Sequence, residues 1–169
     1  MRVYIPATFA MLRELATQPH MSVRSGYGFA VTAAMREFYD EGDEEDFAEF
    51  AFDDAARASI RLLATGDHTG EFPHRRVVIS VDLPDQAVTL RDDLGESVVS
   101  LEPPRITKDQ LAAIHVDVAA SEPTTAKAIE VIDAADLGDE DAELTVGDAI
   151  ANYLAWYDPS ELDALIELL

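Results

Sequence analysis

The chain contains no cysteine. Disulfides, thiolate nucleophiles and cysteine-held zinc or iron–sulfur centres are therefore excluded. Lysine is nearly missing too, with Lys108 and Lys127 its only examples, and Trp156 is the single tryptophan. Long apolar runs are also lacking, and Met1-Arg2-Val3-Tyr4-Ile5-Pro6 leads straight into a strand-like segment. Neither a signal peptide nor a membrane span is expected, so the reading is cytoplasmic with no membrane partner. Positive charge is the scarcest commodity of all: 12 Lys and Arg face 34 Asp and Glu, a net charge of −22. Such a surface repels phosphate backbones and anionic lipid, so no nucleic-acid partner is expected. A protein partner of basic character, or divalent cations, fit the charge better. The preference for Arg over Lys suits a GC-rich genome as readily as a salt-adapted proteome.

What is present is ordinary for a globular chain: 48% hydrophobic and 27% charged residues, with 8 Gly and 8 Pro, over 169 residues. That is enough for one domain with a proper core, taken as a single unit over 1–169. Val3 to Ile5 reads as a strand, followed by a helix over Ala7 to Ala16. Gln18 to Gly28 reads as a loop, and Phe29 to Thr32 as a short strand before a helix carrying Met35 and Phe38. A long helix is predicted over Glu44 to Ala64, because Phe47, Ala51, Ala55, Ala58 and Leu62 recur at helical spacing. After a loop over Thr65 to Pro73 come the β-branched run Arg76 to Leu83 and strands at Ala87 to Leu90 and Val98 to Leu101. A helical turn is expected near Lys108 to Ala112. Ile114, Val116 and Val118 then alternate with His115 and Asp117 as a half-buried strand would. A helix over Pro123 to Ala135 closes at Gly138, and a last strand over Tyr153 to Tyr157 leads into a C-terminal helix opened by Asp158.

Three segments share one spacing. Pro6, Phe9, Leu12 and Leu15 match Pro123, Ala126, Ile129 and Ile132, and again Pro159, Leu162, Leu165 and Leu168. Proline suits the first turn of a helix, where its missing N–H is not needed. The repeat is read as convergence on a good strand-to-helix junction, with duplication of a βα unit as the alternative. It suggests helices packed together on one sheet face. The expectation is an α+β two-layer sandwich, helices on one face of a mixed or antiparallel sheet, with the ferredoxin-like arrangement as one form of it.

Candidate chemistry is sparse. The acidic run from Asp40 to Asp54 fails as a calcium loop, since a register starting at Asp43 puts Phe47 where an oxygen ligand is required. It reads as a solvated helix start, whose dipole carboxylates complement. A second cluster, Asp133, Asp136, Asp139, Glu140, Asp141 and Glu143, follows a helix end that disfavours carboxylates. It is the better interaction candidate, although a calcium register from Asp139 fails at Ile150. His68 and His74 lie in a loop that fixes no metal geometry. His115 and Asp117 share a strand face and read as a solvent-facing polar pair, with metal ligation as the alternative. Ser25-Gly26-Tyr27-Gly28 lacks the lysine of a phosphate loop and reads as a turn with positive φ. Neither HExxH nor GxSxG occurs. Trp156 and Tyr157 read as core aromatics ending the last strand, with a ligand-facing role as the minor alternative. Asp158 and Glu161 have capping-box spacing.

Several segments together resemble an uncharacterised family of small actinobacterial proteins of unknown function. They are Arg2-Val3-Tyr4-Ile5-Pro6-Ala7-Thr8, Phe29-Ala30-Val31-Thr32, Ala55-Ala56-Arg57-Ala58-Ser59 and Arg76-Val77-Val78-Ile79, with the stretches Asp133 to Glu143 and Leu154 to Leu162. The resemblance spans nearly the whole chain. It implies a single-domain cytoplasmic protein from a GC-rich bacterium and supplies no activity or catalytic residues.

The leading expectation is a non-catalytic binding or regulatory protein that works through its acidic surface. Its interaction candidates are Asp136, Asp139, Glu140, Asp141, Glu143, Trp156 and Tyr157. No catalytic residue, metal ligand or cofactor is assigned. The alternatives are a small metal-dependent enzyme using carboxylates with or without His115, and an acidic mimic of nucleic acid.

Overall fold

A computed structural model describes residues 1–66 and 72–168. His68 and most of the loop expected over 65–73 lie outside the described residues.

The chain opens with strand β1 (Arg2–Ala7) and helix α1 (Phe9–Thr17), whose first turn is capped by Thr8 accepting from the Met11 N–H. A short β2 (Met21–Ser22), β3 (Tyr27–Phe29), α2 (Ala33–Phe38) and the long α3 (Glu44–Ala64) follow. Then come β4 (Val77–Asp82), β5 (Val88–Leu90), β6 (Val98–Leu101), β7 (Arg105–Ile106) and β8 (Leu111–Asp117). The chain ends with α4 (Glu122–Asp136), α5 (Glu140–Ile150), β9 (Leu154–Tyr157) and α6 (Leu162–Glu167). Seven strands form one sheet in the order β5-β6-β3-β1-β4-β8-β9, and β2 pairs separately with β7. Each paired neighbour is antiparallel.

The fold is thus α+β with an antiparallel sheet, as expected, but helices cover both faces of that sheet. Strand alternation decides which residue faces which layer. Val3, Ile5 and Ala7 of β1, with Val77, Ile79 and Val81 of β4, pack against Phe9, Leu12 and Leu15 of α1 and Leu162 and Leu165 of α6. On the opposite face, Val78 packs against Ala55 and Ala56 of α3. The run Val77–Val81 is apolar or small at every position because β4 is buried on both sides. Behind α3, α4 and α5 form a further layer whose Ala128, Ile132, Val146 and Ala149 close over Ile60. Since α3 is covered from two sides, its buried arc extends past the expected stripe to Ala56, Ser59, Ile60 and Leu63, while Ala58 and Leu62 are only half-buried.

The proline repeat holds in part. Pro123 and Pro159 do sit in the first turn of α4 and of the short helical turn Pro159–Glu161. Pro6 instead lies within β1, opposite Val78, and Thr8 starts the helix. The β1–β3 register ends at Tyr4, so Pro6 falls where β1 has a paired neighbour on one side alone, a position that tolerates proline.

Candidate functional site

Two inner strands carry a buried ion pair to one end of the sheet. Val77 of β4 lies opposite Val116 of β8, so the next residues out, Arg76 and Asp117, meet. Their side chains are 1% and 0% exposed. Asp117 Oδ1 accepts from Arg76 Nη2 at 2.6 Å, and Oδ2 accepts from Arg76 Nε at 3.0 Å, the Arg76 N–H at 2.8 Å and Thr125 Oγ1 at 2.9 Å. Arg76 Nη2 also donates to the Asn152 carbonyl at 3.0 Å. Deleting one member of such a pair strands a buried charge and costs about 3–5 kcal/mol, whereas replacing both by apolar groups is often neutral. Stability alone therefore does not account for the pair.

Arg76 forms part of the wall of a cleft of about 560 Å³. Glu49, Phe52, Asp53 and Ala56 line it from one face of α3, at the three- and four-residue spacing that stacks side chains on a helix. Gly147 and Ile150 of α5, then Asn152, Tyr153 and Leu154, form the opposite side. Asp53 is half-buried, and no hydrogen bond or ion pair holds its carboxylate among the described residues. Burial pushes its pKa up, the charges of Glu49 and Asp54 add to the shift, and Arg76 opposes it.

Deeper on the same sheet face, the Phe52 ring stands edge-on to His115 with centroids 4.8 Å apart. His115 shares a hydrogen bond of 2.9 Å between Nε2 and Ser80 Oγ. Burial, with a smaller contribution from Arg2, lowers its pKa from 6.5 to about 4. The expected solvent-facing pair of His115 and Asp117 is therefore corrected. The two share a strand face, but that face is covered by α3 and α4, and Asp117 is bound to Arg76. Among the described residues, no group of three or more His, Cys, Asp or Glu is placed to hold a metal ion.

The second acidic cluster is not a loop after a helix end. Asp139 is the N-cap of α5, accepting from the Ala142 N–H at 2.8 Å, and Glu140, Asp141 and Glu143 occupy the first turn. The carboxylates there complement the dipole, so the electrostatic mismatch that marked them out is removed. Asp136 and Glu143 converge on α3. Arg57 donates to Asp136 at 3.0 Å and to Glu143 at 2.8 Å, and Arg61 donates to Asp136 at 2.7 Å. The Arg61 and Arg57 contacts hold the Asp136 carboxyl below its usual range, and Arg57 does the same for Glu143. These contacts clamp the α4–α5 layer onto α3. Glu140 and Asp141 stay exposed.

Trp156 is 60% exposed on the edge strand β9, so it is not a core residue. Tyr157, one position on and pointing to the other face, packs partly against the α1–α6 side of the core. The expected turn with positive φ is found at Ser25 and Gly26. Across α3 from the cleft, a smaller hollow of about 290 Å³ holds Asp54, Arg57 and Arg61. Asp54 Oδ2 accepts from Ser97 Oγ there at 2.6 Å. Desolvation by the surrounding groups raises the Asp54 pKa, against the pull of the Ser97 bond, although part of the side chain reaches solvent.

Sequence reasoning missed Arg76, Asn152 and the special position of Asp53. One signal was available. An unbroken apolar run in β4 marks a strand covered on both faces, which would have buried Asp117 on its neighbour and required a partner for it.

An antiparallel sheet clad on both faces, with a cleft of mixed lining where a buried ion pair ends two inner strands, defines an acidic α+β domain. The chain belongs to the family of unknown function DUF6912, whose model matches residues 1–166. That agrees with the uncharacterised family its sequence resembles. No curated protein and no solved structure matches the chain.

Proposed function

We propose that the protein is a non-catalytic binding protein, acting in the cytoplasm of an actinobacterium, that engages a positively charged partner through its acidic surface. The observation that carries this reading is Asp53: a half-buried carboxylate with no ion pair among the described residues, in a cleft of about 560 Å³ that Phe52 and Tyr153 also line. A cation entering there gains the carboxylate, with the aromatic side chains of Phe52 and Tyr153 in the same lining, in surroundings that screen charge less than water does. The net charge of −22 concentrates cations around the molecule before they reach the cleft. The contact centres on α3 rather than on the start of α5, where Arg57 and Arg61 already neutralise Asp136 and Glu143. The metal-dependent and nucleic-acid-mimic readings have no comparable observation behind them.

Calorimetric titration with two N-acetylated peptides of equal length, one rich in Lys and Arg and one in Asp and Glu, tests this. The basic peptide should bind, more weakly as salt rises, and Asp53→Asn should weaken it about tenfold, the equivalent of ~1.4 kcal/mol. The paired substitutions Glu140→Gln and Asp141→Asn serve as control and should change little. Equal losses from both variants would mean that only bulk charge is read, and the proposal would fail.

A further inference from the structure

Among the described residues, two polar groups of residues that line the cleft lack a hydrogen-bond partner, one nitrogen of Arg76 and the carboxylate of Asp53, and they are of opposite kinds. Arg76 is 1% exposed, and its Nε and Nη2 are committed to Asp117 and the Asn152 carbonyl. Its Nη1 has no acceptor among the described residues. Buried donors in native proteins rarely go unmet, and Arg76 is among the residues that line the cleft, so an occupant of the cleft is the acceptor to look for. Asp53 offers the complement: an acceptor with no donor among the described residues, lining the same cleft and near enough for the Arg76 charge to oppose the rise in its pKa.

The electrostatics narrow the occupant. Asp117 already balances the Arg76 charge, so a simple anion would gain little there and would be repelled by Asp53 and Glu49. A simple cation, such as a lysine side chain, would satisfy Asp53 and leave Nη1 bare. A group that carries an ammonium next to a carbonyl oxygen meets both. We infer that the cleft binds an α-amino-acid unit, its ammonium on Asp53 with Glu49 at the rim and its carbonyl oxygen on Arg76 Nη1. An apolar side chain would lie along Phe52, Ile150 and Leu154, which line the same cleft. This rests on the cleft-binding reading above and narrows it to one chemistry. That chemistry has two sources, a free amino acid and the N-terminal residue of a peptide.

The test is titration, followed by calorimetry and amide chemical shifts, with three probes: leucinamide, isoamylamine and N-acetyl-leucinamide. The second lacks the carbonyl and the third lacks the ammonium. Leucinamide should bind at least ~10-fold tighter than either, about what one charge-assisted hydrogen bond supplies. Asp53→Asn should weaken it by a similar factor. Gly147→Leu should abolish binding with the fold intact, because a Cβ at Gly147 meets nothing within 4 Å and the added bulk enters the cleft. This variant avoids disturbing the buried Arg76, whose loss could unfold the chain.

Leucine binding as tightly as an N-terminal leucyl peptide would support the inference with a free amino acid as ligand. Preference for the peptide would support it with a chain terminus as ligand. Isoamylamine or N-acetyl-leucinamide matching leucinamide would overturn it, as would leucinamide binding that survives Gly147→Leu. If the N-acetylated basic peptide binds and leucinamide does not, this inference alone falls; if neither binds, the cleft reading falls with it.

Discussion

His115 shows how the covered sheet face governs a single residue. Its ring lies between Phe52 and the Ser80 hydroxyl, and burial lowers its pKa to about 4. The folded state thus favours the neutral ring, while the unfolded chain takes up a proton near the ordinary value of 6.5. The stability that follows is fully present above pH ~6.5 and is lost as pH falls towards the folded value, with a slope of up to about 1.4 kcal/mol per pH unit. Asp136 and Glu143 act in the same direction but lower on the scale: their folded values are depressed, so their contribution persists until pH falls below the usual carboxylate range. Asp53 and Asp54, whose values are raised, oppose both, since protonation favours their folded forms. Titration of the His115 ring protons by NMR should give a midpoint near 4. A midpoint at or above 6 would mean that water reaches the ring and that α3 does not cover β8 as described.

At the scale of elements, α5 is the one whose chemistry changed most between sequence and structure. Its first turn is held by Asp139, so Asp139→Ala should cost about 0.5–2 kcal/mol by removing the acceptor for the Ala142 N–H. The control Asp141→Ala removes a first-turn carboxylate that makes no cap and should cost less, no more than ~1 kcal/mol. Equal costs, read as shifts in urea midpoint, would show that the dipole rather than the cap holds the turn. The helix was legible in principle: Ala142, Val146 and Ala149, its buried positions, follow helical spacing. Leu137-Gly138 hid it, because a glycine stop followed by acids reads as an exit into a loop, whereas here one helix ends and the next is capped within two residues. By contrast α3 and β6 are bounded as the sequence predicts, Glu44–Ala64 and Val98–Leu101. Each has an unambiguous period and a clear breaker at its ends. The Asp158 cap was legible for the same reason, with Glu161 Oε2 accepting from the Asp158 N–H at 2.7 Å.

Across the whole molecule the cleft could not be read from sequence, because its walls come from α3, Arg76, α5 and β9, and only the layering joins them. Net charge could be read at once, and it leads to a prediction that the structure makes two-sided. Salt screens repulsion among 34 acidic residues, which stabilises. It also screens the exposed attractions Arg2–Asp82, Arg36–Glu44 and Arg91–Asp93, which destabilises. Exposed pairs are worth about 0–1 kcal/mol each, and the buried Arg76–Asp117 pair is hardly screened at all. The repulsion acts over the whole surface and has 22 uncompensated charges behind it, so it should win. The Debye length falls from about 30 Å at 0.01 M to about 10 Å at 0.1 M, that is, from roughly the span of a small domain to a few side chains. The melting temperature should accordingly rise with NaCl across that interval and flatten above it, once only neighbouring charges still interact. Melting at fixed pH 7 in NaCl and in an equal ionic strength of Na₂SO₄ separates screening from salting-out, because sulfate also strengthens apolar burial. A rise common to both salts that saturates near 0.1 M is expected. A melting temperature that falls with NaCl would mean that the arginine contacts clamping α4 and α5 onto α3 outweigh the self-repulsion of the acidic surface.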